Sequence, residues 1–342
     1  MPTHTPPLKF AIVGFGNIGR RHAAHIYRHS DAHLIAICDN NPEQYADLPA
    51  EWPPVHCFPD FNELLKHADI GIVNICTPNH LHAPMTIAAL QAGKHVVCEK
   101  PMAISSRDCD SMNEAARLAG KKLFVVKQNR YNPPVAAVKK LIDSGALGRI
   151  FQVTVNCFWN RNEAYYSQST WHGKKDMDGG CLFTQCSHFV DILYYLVGNV
   201  QSICGIIANQ GHNGIVEFED SGSFLLKSAN GTLVSFNFST CTYQKNMEGS
   251  ITIIAEHGTV KIGGQYLNTI EYQQLSGEPI ANLPTGNLPN DYGTYQGSMS
   301  NHDKVIQNVI DTLRGLDSIA TDGYSGRQVV AIIEDMYATV SV

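Results

Sequence analysis

The sequence predicts an α/β chain: a doubly wound parallel sheet first, then an α+β domain built on a large, mostly antiparallel, open-faced sheet. Three observations predict it. Short apolar runs alternate with helical stretches up to about Lys127, the rhythm of a parallel sheet with helices on both faces. A glycine-rich turn, Gly14-Phe-Gly16-Asn-Ile-Gly19, sits between the first strand and the first helix. From Ile150 onward the pattern alternates and is rich in β-branched and aromatic residues, as a sheet with one covered face requires.

Element by element, Leu8 to Val13 reads as a buried parallel strand and Arg20 to His29 as a helix. A second apolar run, His33 to Cys38, ends at Asp39. Phe61 to His67 reads as helix, Ile70 to Cys76 as strand, Pro84 to Ala92 as helix, His95 to Cys98 as strand, Ser105 to Gly120 as helix and Leu123 to Lys127 as strand. The rhythm changes near Tyr131. Asn132-Pro133-Pro134 breaks the chain, then a helix runs to about Ser144, and Gly145 and Gly148 close it. Strands follow at Phe151–Trp159, Ser202–Ala208, Ser223–Lys227, Thr232–Ser239, Ser250–Ala255 and Thr259–Ile262. One helix from about Leu182 to Val197 interrupts them, and two more close the chain, about His302 to Arg314 and Gly326 to Ala338. The expected domains are residues 1–130 and residues 131–342.

The 342 residues suit two domains. Composition is globular, with 44% hydrophobic and 16% charged residues. The net charge of −6 comes without runs of like charge, which excludes nucleic acid or a membrane surface as the expected partner. No apolar stretch reaches the roughly 18–20 residues of a membrane span. The first residues, Met-Pro-Thr-His-Thr-Pro-Pro, lack the basic-then-apolar order of a signal peptide, so the cytoplasm is expected. The ten cysteines form no Cys-x-x-Cys pair, and several stand in apolar runs. They read as small buried hydrophobes in a reducing compartment, with no metal site and no disulfide framework.

The glycine-rich turn carries the first functional signal. Gly14 permits the tight turn, Gly16 lets a pyrophosphate approach the backbone, and Gly19 allows close helix–sheet packing. Asp39 stands twenty residues beyond Gly19 at the end of the second strand, where a carboxylate accepts from an adenine ribose diol. That is the fingerprint of a Rossmann dinucleotide site. Asp39 would repel a 2′-phosphate, and Asn40 and Asn41 follow it rather than an arginine, so NAD is favoured over NADP. Arg20 and Arg21 are the competing feature and read as surface helix residues. Two more motifs close parallel strands, where such folds bind ligands: Thr77-Pro78-Asn79-His80-Leu81-His82 and Glu99-Lys100-Pro101.

Together these motifs resemble the family of glucose–fructose oxidoreductase and inositol dehydrogenase, the Gfo/Idh/MocA family, over nearly the whole chain. Further segments resemble one branch of it: Val126-Lys127-Gln128-Asn129-Arg130, Phe158-Trp159-Asn160-Arg161, Tyr165-Tyr166, Trp171-His172-Gly173, Asp178-Gly179-Gly180 through Gln185-x-Ser187-His188-x-x-Asp191, and Asn246-Met-Glu248-Gly249-Ser250. That branch oxidises C3 of UDP-N-acetyl-2-amino-2-deoxyglucuronate for surface polysaccharide. The resemblance implies NAD as cofactor, a nucleotide-sugar substrate and a homotetramer joined through open sheet faces. It implies cofactor contacts at Gly14, Phe15, Gly16, Asn17, Ile18, Gly19, Asp39, Asn40, Thr77, Pro78, Asn79, His82, Glu99, Lys100, Gln128 and Trp171. It implies substrate contacts at Lys100, Asn129, Arg130, Arg161, Tyr165, Thr184 and His188. One position departs from the family: many members carry an acidic residue four positions before the histidine, and here Thr184 stands there.

Oxidising a secondary alcohol needs a base for the hydroxyl proton and an acceptor for the hydride. An unperturbed imidazole titrates near neutrality, so His188 fits the base. Lys100 fits a positive charge on the developing alkoxide, or the base itself if its site lowers its proton affinity; the sequence leaves the two unordered. Arg130, Arg161, Lys174 and Lys175 are candidates for the substrate's phosphates and carboxylate. Trp171 and Tyr165 are candidates to cover a ring. Two other readings stay open: a dehydrogenase of UDP-N-acetylglucosamine or of a free cyclitol or hexose, and a non-catalytic NAD-sensing regulator. Retention of both Lys100 and His188 argues against the regulator.

Overall fold

The computed structural model describes residues 6–293 and 295–340; most of the N-terminal segment read above for a signal peptide lies outside them. In chain order the elements are β1 (Leu8–Val13), α1 (Asn17–Arg28), β2 (Ala32–Cys38), β3 (His56–Phe58), α2 (Phe61–Leu65), β4 (Ile72–Ile75), α3 (His82–Gln91), β5 (His95–Cys98), α4 (Ser106–Ala119), β6 (Leu123–Val125) and α5 (Pro133–Asp143). There follow β7 (Ile150–Phe158), α6 (Glu163–Ser167), α7 (Lys175–Asp178), α8 (Cys181–Thr184), α9 (Ser187–Val197), β8 (Val200–Ala208), β9 (Ser221–Ser228), β10 (Leu233–Ser239), β11 (Glu248–Ala255), β12 (Gly258–Gly263), β13 (Thr269–Leu275), β14 (Pro289–Asp291), β15 (Gln296–Met299), α10 (His302–Leu313) and α11 (Gly323–Ala338).

The chain forms two compact units. The first comprises the residues through Val126 together with His302–Arg327; the second comprises Lys127–Asn301 and the residues from Gln328. This corrects the expected boundary at 130/131, which places everything beyond it in one domain. The segment 302–327 returns to the first unit because α10 packs on α1 and the chain at Thr321 and Asp322 runs beside β6. There Val125 N–H donates to the Thr321 carbonyl at 3.0 Å, and Phe124 bridges Asp322.

The first unit is a six-stranded parallel sheet in the order β3-β2-β1-β4-β5-β6. The strand order reverses between β1 and β4, which opens a crevice at their carboxyl ends. Its central strands bury continuous apolar runs, Phe10-Ala-Ile-Val13 and Ile72-Val73 among them, because helices cover both faces. Helix α1 buries Gly19, His22, Ala23 and Ile26, one stripe at helical spacing. Ser105 caps α4 by accepting from Asp108 N–H, and Gly120 ends it in the left-handed region at φ +62°.

The second unit is built on a seven-stranded sheet, β13-β12-β11-β7-β10-β9-β8. Only the β7–β10 pair is parallel; the other neighbours are antiparallel. Alternation decides its faces: Phe224 and Leu226 point into the core while Ser223, Leu225 and Lys227 lie outside. Helix α9, nearly all buried, covers the inner face against β7. The outer face leaves Ile206, Leu225, Leu233, Ile254 and Tyr272 exposed. The single helix expected from Leu182 is broken in two, because Cys186 N–H reaches back to the Cys181 carbonyl, a step of five, which interrupts the α register. Strands β3, β13, β14 and β15 and the short helices α6 and α7 are additions to the expected elements. All ten cysteines are free thiols, and seven are buried.

Candidate active site

In the first unit the glycine turn has the geometry of a phosphate cradle. Gly14 adopts φ +84°, and a Cβ there would meet the Cys76 carbonyl oxygen at 2.7 Å. At Gly19 it would lie 2.0 Å from the Gly14 oxygen. At Gly16 nothing lies within 4 Å, so the space beside that backbone is open. Gly16 caps α1 without a side-chain hydrogen bond, and the first turn carries no acid. The helix therefore presents uncapped N–H groups and a positive dipole end, which fit a pyrophosphate. Asp39 is oriented beside it, accepting Phe15 N–H at 2.7 Å and Asn41 N–H at 2.9 Å. The Thr77 hydroxyl, at the carboxyl end of β4, is buried with no hydrogen-bond partner. Open space, uncapped amides and an orphaned hydroxyl at the strand ends fit a dinucleotide. The Arg20 guanidinium stacks 4.9 Å from the Phe15 ring and donates to the Gln44 carbonyl, so it is engaged within the unit.

Two expected cofactor contacts, Phe15 and His82, have buried side chains. The Phe15 side chain is in the core and leaves only backbone for a ligand. His82 is buried, and its ring nitrogens lie 2.7 Å from the Pro101 carbonyl and 2.9 Å from the Thr77 carbonyl. It ties the loop after β4 to the loop after β5 rather than reaching outward. Burial pushes its basicity down, against the hydrogen bonds to those two carbonyls.

The Lys100 loop follows β5, and the Lys100–Pro101 peptide is cis. Glu99 is buried beneath it. One of its oxygens accepts the Lys100 backbone N–H at 3.0 Å, and the other meets His22 Nε2 at 2.9 Å. Burial alone would raise the Glu99 carboxyl, but the His22 hydrogen bond and the His302 ring beside it outweigh burial and hold the carboxyl well below the ordinary carboxylate range.

In the second unit His188 lies buried on α9, with Nε2 3.4 Å from the Ser298 hydroxyl, which accepts from the Gln128 amide at 3.0 Å. The Gln128 amide nitrogen can only donate, so the Ser298 proton is available to His188 Nε2. The side-chain carbonyl oxygens of Gln128 and Asn129 are buried without partners, as acceptors awaiting donors on a ligand would be.

Arg130 and Arg161, expected as substrate cations, each have partners within the unit. Arg130 forms a two-pronged pair with Asp191, at 3.0 and 2.6 Å, over the Tyr195 ring. Arg161 is buried, donating to Gln185 at 2.8 Å and to the Asn160 carbonyl at 2.6 Å, with the Trp159, Tyr165 and Tyr295 rings within about 5 Å. Gln185 passes the chain of hydrogen bonds to the Tyr165 hydroxyl at 2.8 Å. Both guanidinium groups organise the unit's interior. Lys174 and Lys175 are exposed, and Trp171 is half-buried against His172.

Thr184 donates its hydroxyl to the carboxylate of Asp178, itself buried and accepting Gly173 N–H at 2.9 Å. The carboxylate absent at 184 thus stands six residues earlier. Sequence reasoning missed Ser298, His22, His302 and the Asp178–Thr184 pair. Ser298 and His302 carried no local signal, because their partners are more than a hundred residues away. Asp178 was visible only as part of a glycine motif.

A model described as an oxidoreductase family with an NAD-binding Rossmann fold matches residues 8–127, and the Gfo/Idh/MocA C-terminal domain model matches residues 135–261. The chain is 38% identical to the WlbA dehydrogenase of Bordetella pertussis, solved with NADH and UDP-GlcNAcA, at a TM-score of 0.87 over 97% of this chain and 96% of that one. It is 35% identical to the WlbA dehydrogenase of Chromobacterium violaceum, solved with the same two molecules, at a TM-score of 0.88 over 99% and 95%. Among curated proteins it is 30% identical to a 1-carboxy-3-chloro-3,4-dihydroxycyclohexa-1,5-diene dehydrogenase of Comamonas testosteroni over 68% of this chain. The match spans 58% of that relative, and a match to the levoglucosan dehydrogenase of Pseudarthrobacter phenanthrenivorans spans 63% of that protein.

Proposed function

The chain belongs to the Gfo/Idh/MocA family of NAD-binding oxidoreductases, and from that premise we propose that it oxidises C3 of UDP-N-acetyl-2-amino-2-deoxyglucuronate to the 3-keto sugar. The observation that carries this reading is a likeness over nearly the whole chain, at 38% identity, to a dehydrogenase holding NADH and UDP-GlcNAcA. Glycine spacing, Asp39 and the uncapped α1 terminus support NAD on the first unit. Thr77, Pro78, Asn79, Glu99 and Lys100 border it from the ends of β4 and β5.

In this reading His188 takes the proton of the C3 hydroxyl at Nε2, the nitrogen that faces Ser298. Lys100 holds the same oxygen as its negative charge develops. Bound NAD supplies the acceptor for the hydride leaving C3. The unpartnered oxygens of Gln128 and Asn129 accept from donors on the bound molecules. Reduced, buried cysteines suit the cytoplasm, and the exposed apolar side chains on the outer sheet face suit a homotetramer closed through those faces. A supply of 3-keto nucleotide sugar for surface polysaccharide is the expected role.

The test mixes protein, NAD and each candidate sugar and follows the NADH absorbance band. Turnover with the uronate, and a loss of about a thousandfold or more in Lys100→Met with NADH affinity retained, is expected. Turnover with UDP-N-acetylglucosamine or a free cyclitol and none with the uronate would overturn the substrate. Unchanged turnover in Lys100→Met would overturn the mechanism.

A further inference from the structure

Below the Lys100 loop lies a polar cluster that the proposed reaction does not itself use. Asn74 on β4, His22 on α1, Glu99 after β5 and His302 at the start of α10 are all buried, His22 and His302 completely. The contacts run in one direction. A carboxylate only accepts, so His22 Nε2 carries the hydrogen that meets Glu99 at 2.9 Å. His22 Nδ1 then accepts from the Asn74 amide nitrogen at 2.8 Å. The other Glu99 oxygen accepts the Lys100 backbone N–H.

His302 is the unexplained member. Its Nε2 lies 3.4 Å from the Glu99 oxygen that His22 also meets, a looser contact without hydrogen-bond alignment. Neither ring nitrogen has any hydrogen-bond partner. Its ring meets His22 edge-on at 5.2 Å and stacks on His25 at 6.3 Å. An apolar residue would fill this space without the cost of an unmatched buried imidazole. The approach to Glu99 is the one polar contact the position offers among the described residues.

We propose that His302, with His22, is a positioning residue for Lys100, acting through Glu99. The two imidazoles fix the carboxylate and the carboxylate fixes the Lys100 backbone, so the amine is presented at one height above the loop. The inference rests on the reading that Lys100 acts on the substrate. It adds a residue from the returning C-terminal segment to the machinery of that lysine. Burial depresses the basicity of His302, so it lies against the ionised Glu99 as a neutral ring, 3.4 Å from the carboxylate oxygen. The titratable groups facing the cluster are His22, His25 and Arg21 from α1, Cys76 at the end of β4, His82 from α3 and Asp303 from α10.

The test compares His302→Phe, which keeps the ring's bulk without a donor, with His302→Gln, which restores one. Lys100→Met is measured alongside. Melting temperature, NADH affinity by fluorescence, and kcat and KM for the nucleotide sugar across pH are read for each. A loss of about tenfold or more in kcat is expected for His302→Phe, with NADH affinity and KM within about threefold, a displaced pH profile, and recovery in His302→Gln. A His302→Phe enzyme with unchanged kcat and profile would sink the inference. So would a loss that tracks a lowered melting temperature and that glutamine does not recover. If His302→Phe does not fold, His302→Gln and Glu99→Gln carry the same readouts, and an unmoved pH profile in Glu99→Gln sinks it equally. Full turnover in Lys100→Met removes the parent reading, whereas an inactive Lys100→Met beside an unaltered His302→Phe removes this inference alone.

Discussion

The two units bury charge in different ways. The first collects imidazoles around one carboxylate: His22 and His302 on Glu99, with His82 bridging the Thr77 and Pro101 carbonyls nearby. The second uses guanidinium groups, Arg130 locked to Asp191 and Arg161 among Gln185, Asn160 and three aromatic rings. An imidazole is neutral or charged within the physiological range and donates one or two hydrogen bonds accordingly. A guanidinium is charged at every accessible pH and holds a fixed planar fork. Histidine clusters suit the unit whose loops must hold a lysine and admit a cofactor. Arginine pairs suit an interior that must keep one shape at every pH.

The sharpest way to break this contrast is Arg130→Met. It leaves Asp191 buried with only Lys127, 3.8 Å away, as a counter-charge. A loss of about 3–5 kcal/mol in urea unfolding is expected, and Arg130→Met with Asp191→Leu is expected to recover most of it. An Arg130→Met chain as stable as the parent would mean that the pair does not organise the second unit.

A smaller effect separates folding from binding in the first unit. Gly16 has open space around an added Cβ, so Gly16→Ala is expected to melt like the parent while binding NADH on the order of tenfold more weakly, about 1.4 kcal/mol. Gly19→Ala, whose Cβ would strike the Gly14 backbone oxygen, is expected to lose stability first. Equal melting losses in both would show that the turn's openness has no bearing on the cofactor.

The smallest effect is on acid stability. Burial lowers His25 and His95 from 6.5 to about 4. The unfolded chain then binds protons between those values that the folded chain does not. Stability is full above pH 6.5 and declines as pH falls toward 4. Each ring is only partly buried, so about 1–2 kcal/mol is expected from His25 after solvent screening. Urea midpoints at pH 7 and pH 5 in the parent and in His25→Gln measure it; an undiminished difference in the variant would assign the acid sensitivity elsewhere.

The first unit was legible because its signals are local. A strand, a glycine turn and a carboxylate twenty residues on describe one βαβ unit, and the two strand-end motifs place themselves at the crevice. Gly14, Gly16, Gly19 and Asp39 all took up the conformations their spacing implies. The second unit was legible as a sheet, since its alternation is visible strand by strand. Its polar interior was not. Arg130 and Arg161 look like ligands for anions in a sequence, and only the fold reveals their partners Asp191 and Gln185. Ser298 lies 110 positions from His188, and no periodicity connects residues that distant. Thr184 reads as a missing acid in the sequence, and the fold brings the Asp178 carboxylate to its hydroxyl. The return of residues 302–327 escaped notice because an amphipathic helix does not announce which core it joins.

That return sets an order of events during synthesis. The strand β6 emerges from the ribosome long before the segment at Thr321 and Asp322 that covers it, with residues 127–301 of the second unit translated in between. Until then the last strand of the parallel sheet displays unpaired backbone groups, and the helix carrying His302 is missing from α1. An edge left open in this way invites pairing with other nascent chains. The first unit therefore completes its own fold only after most of the second has been made.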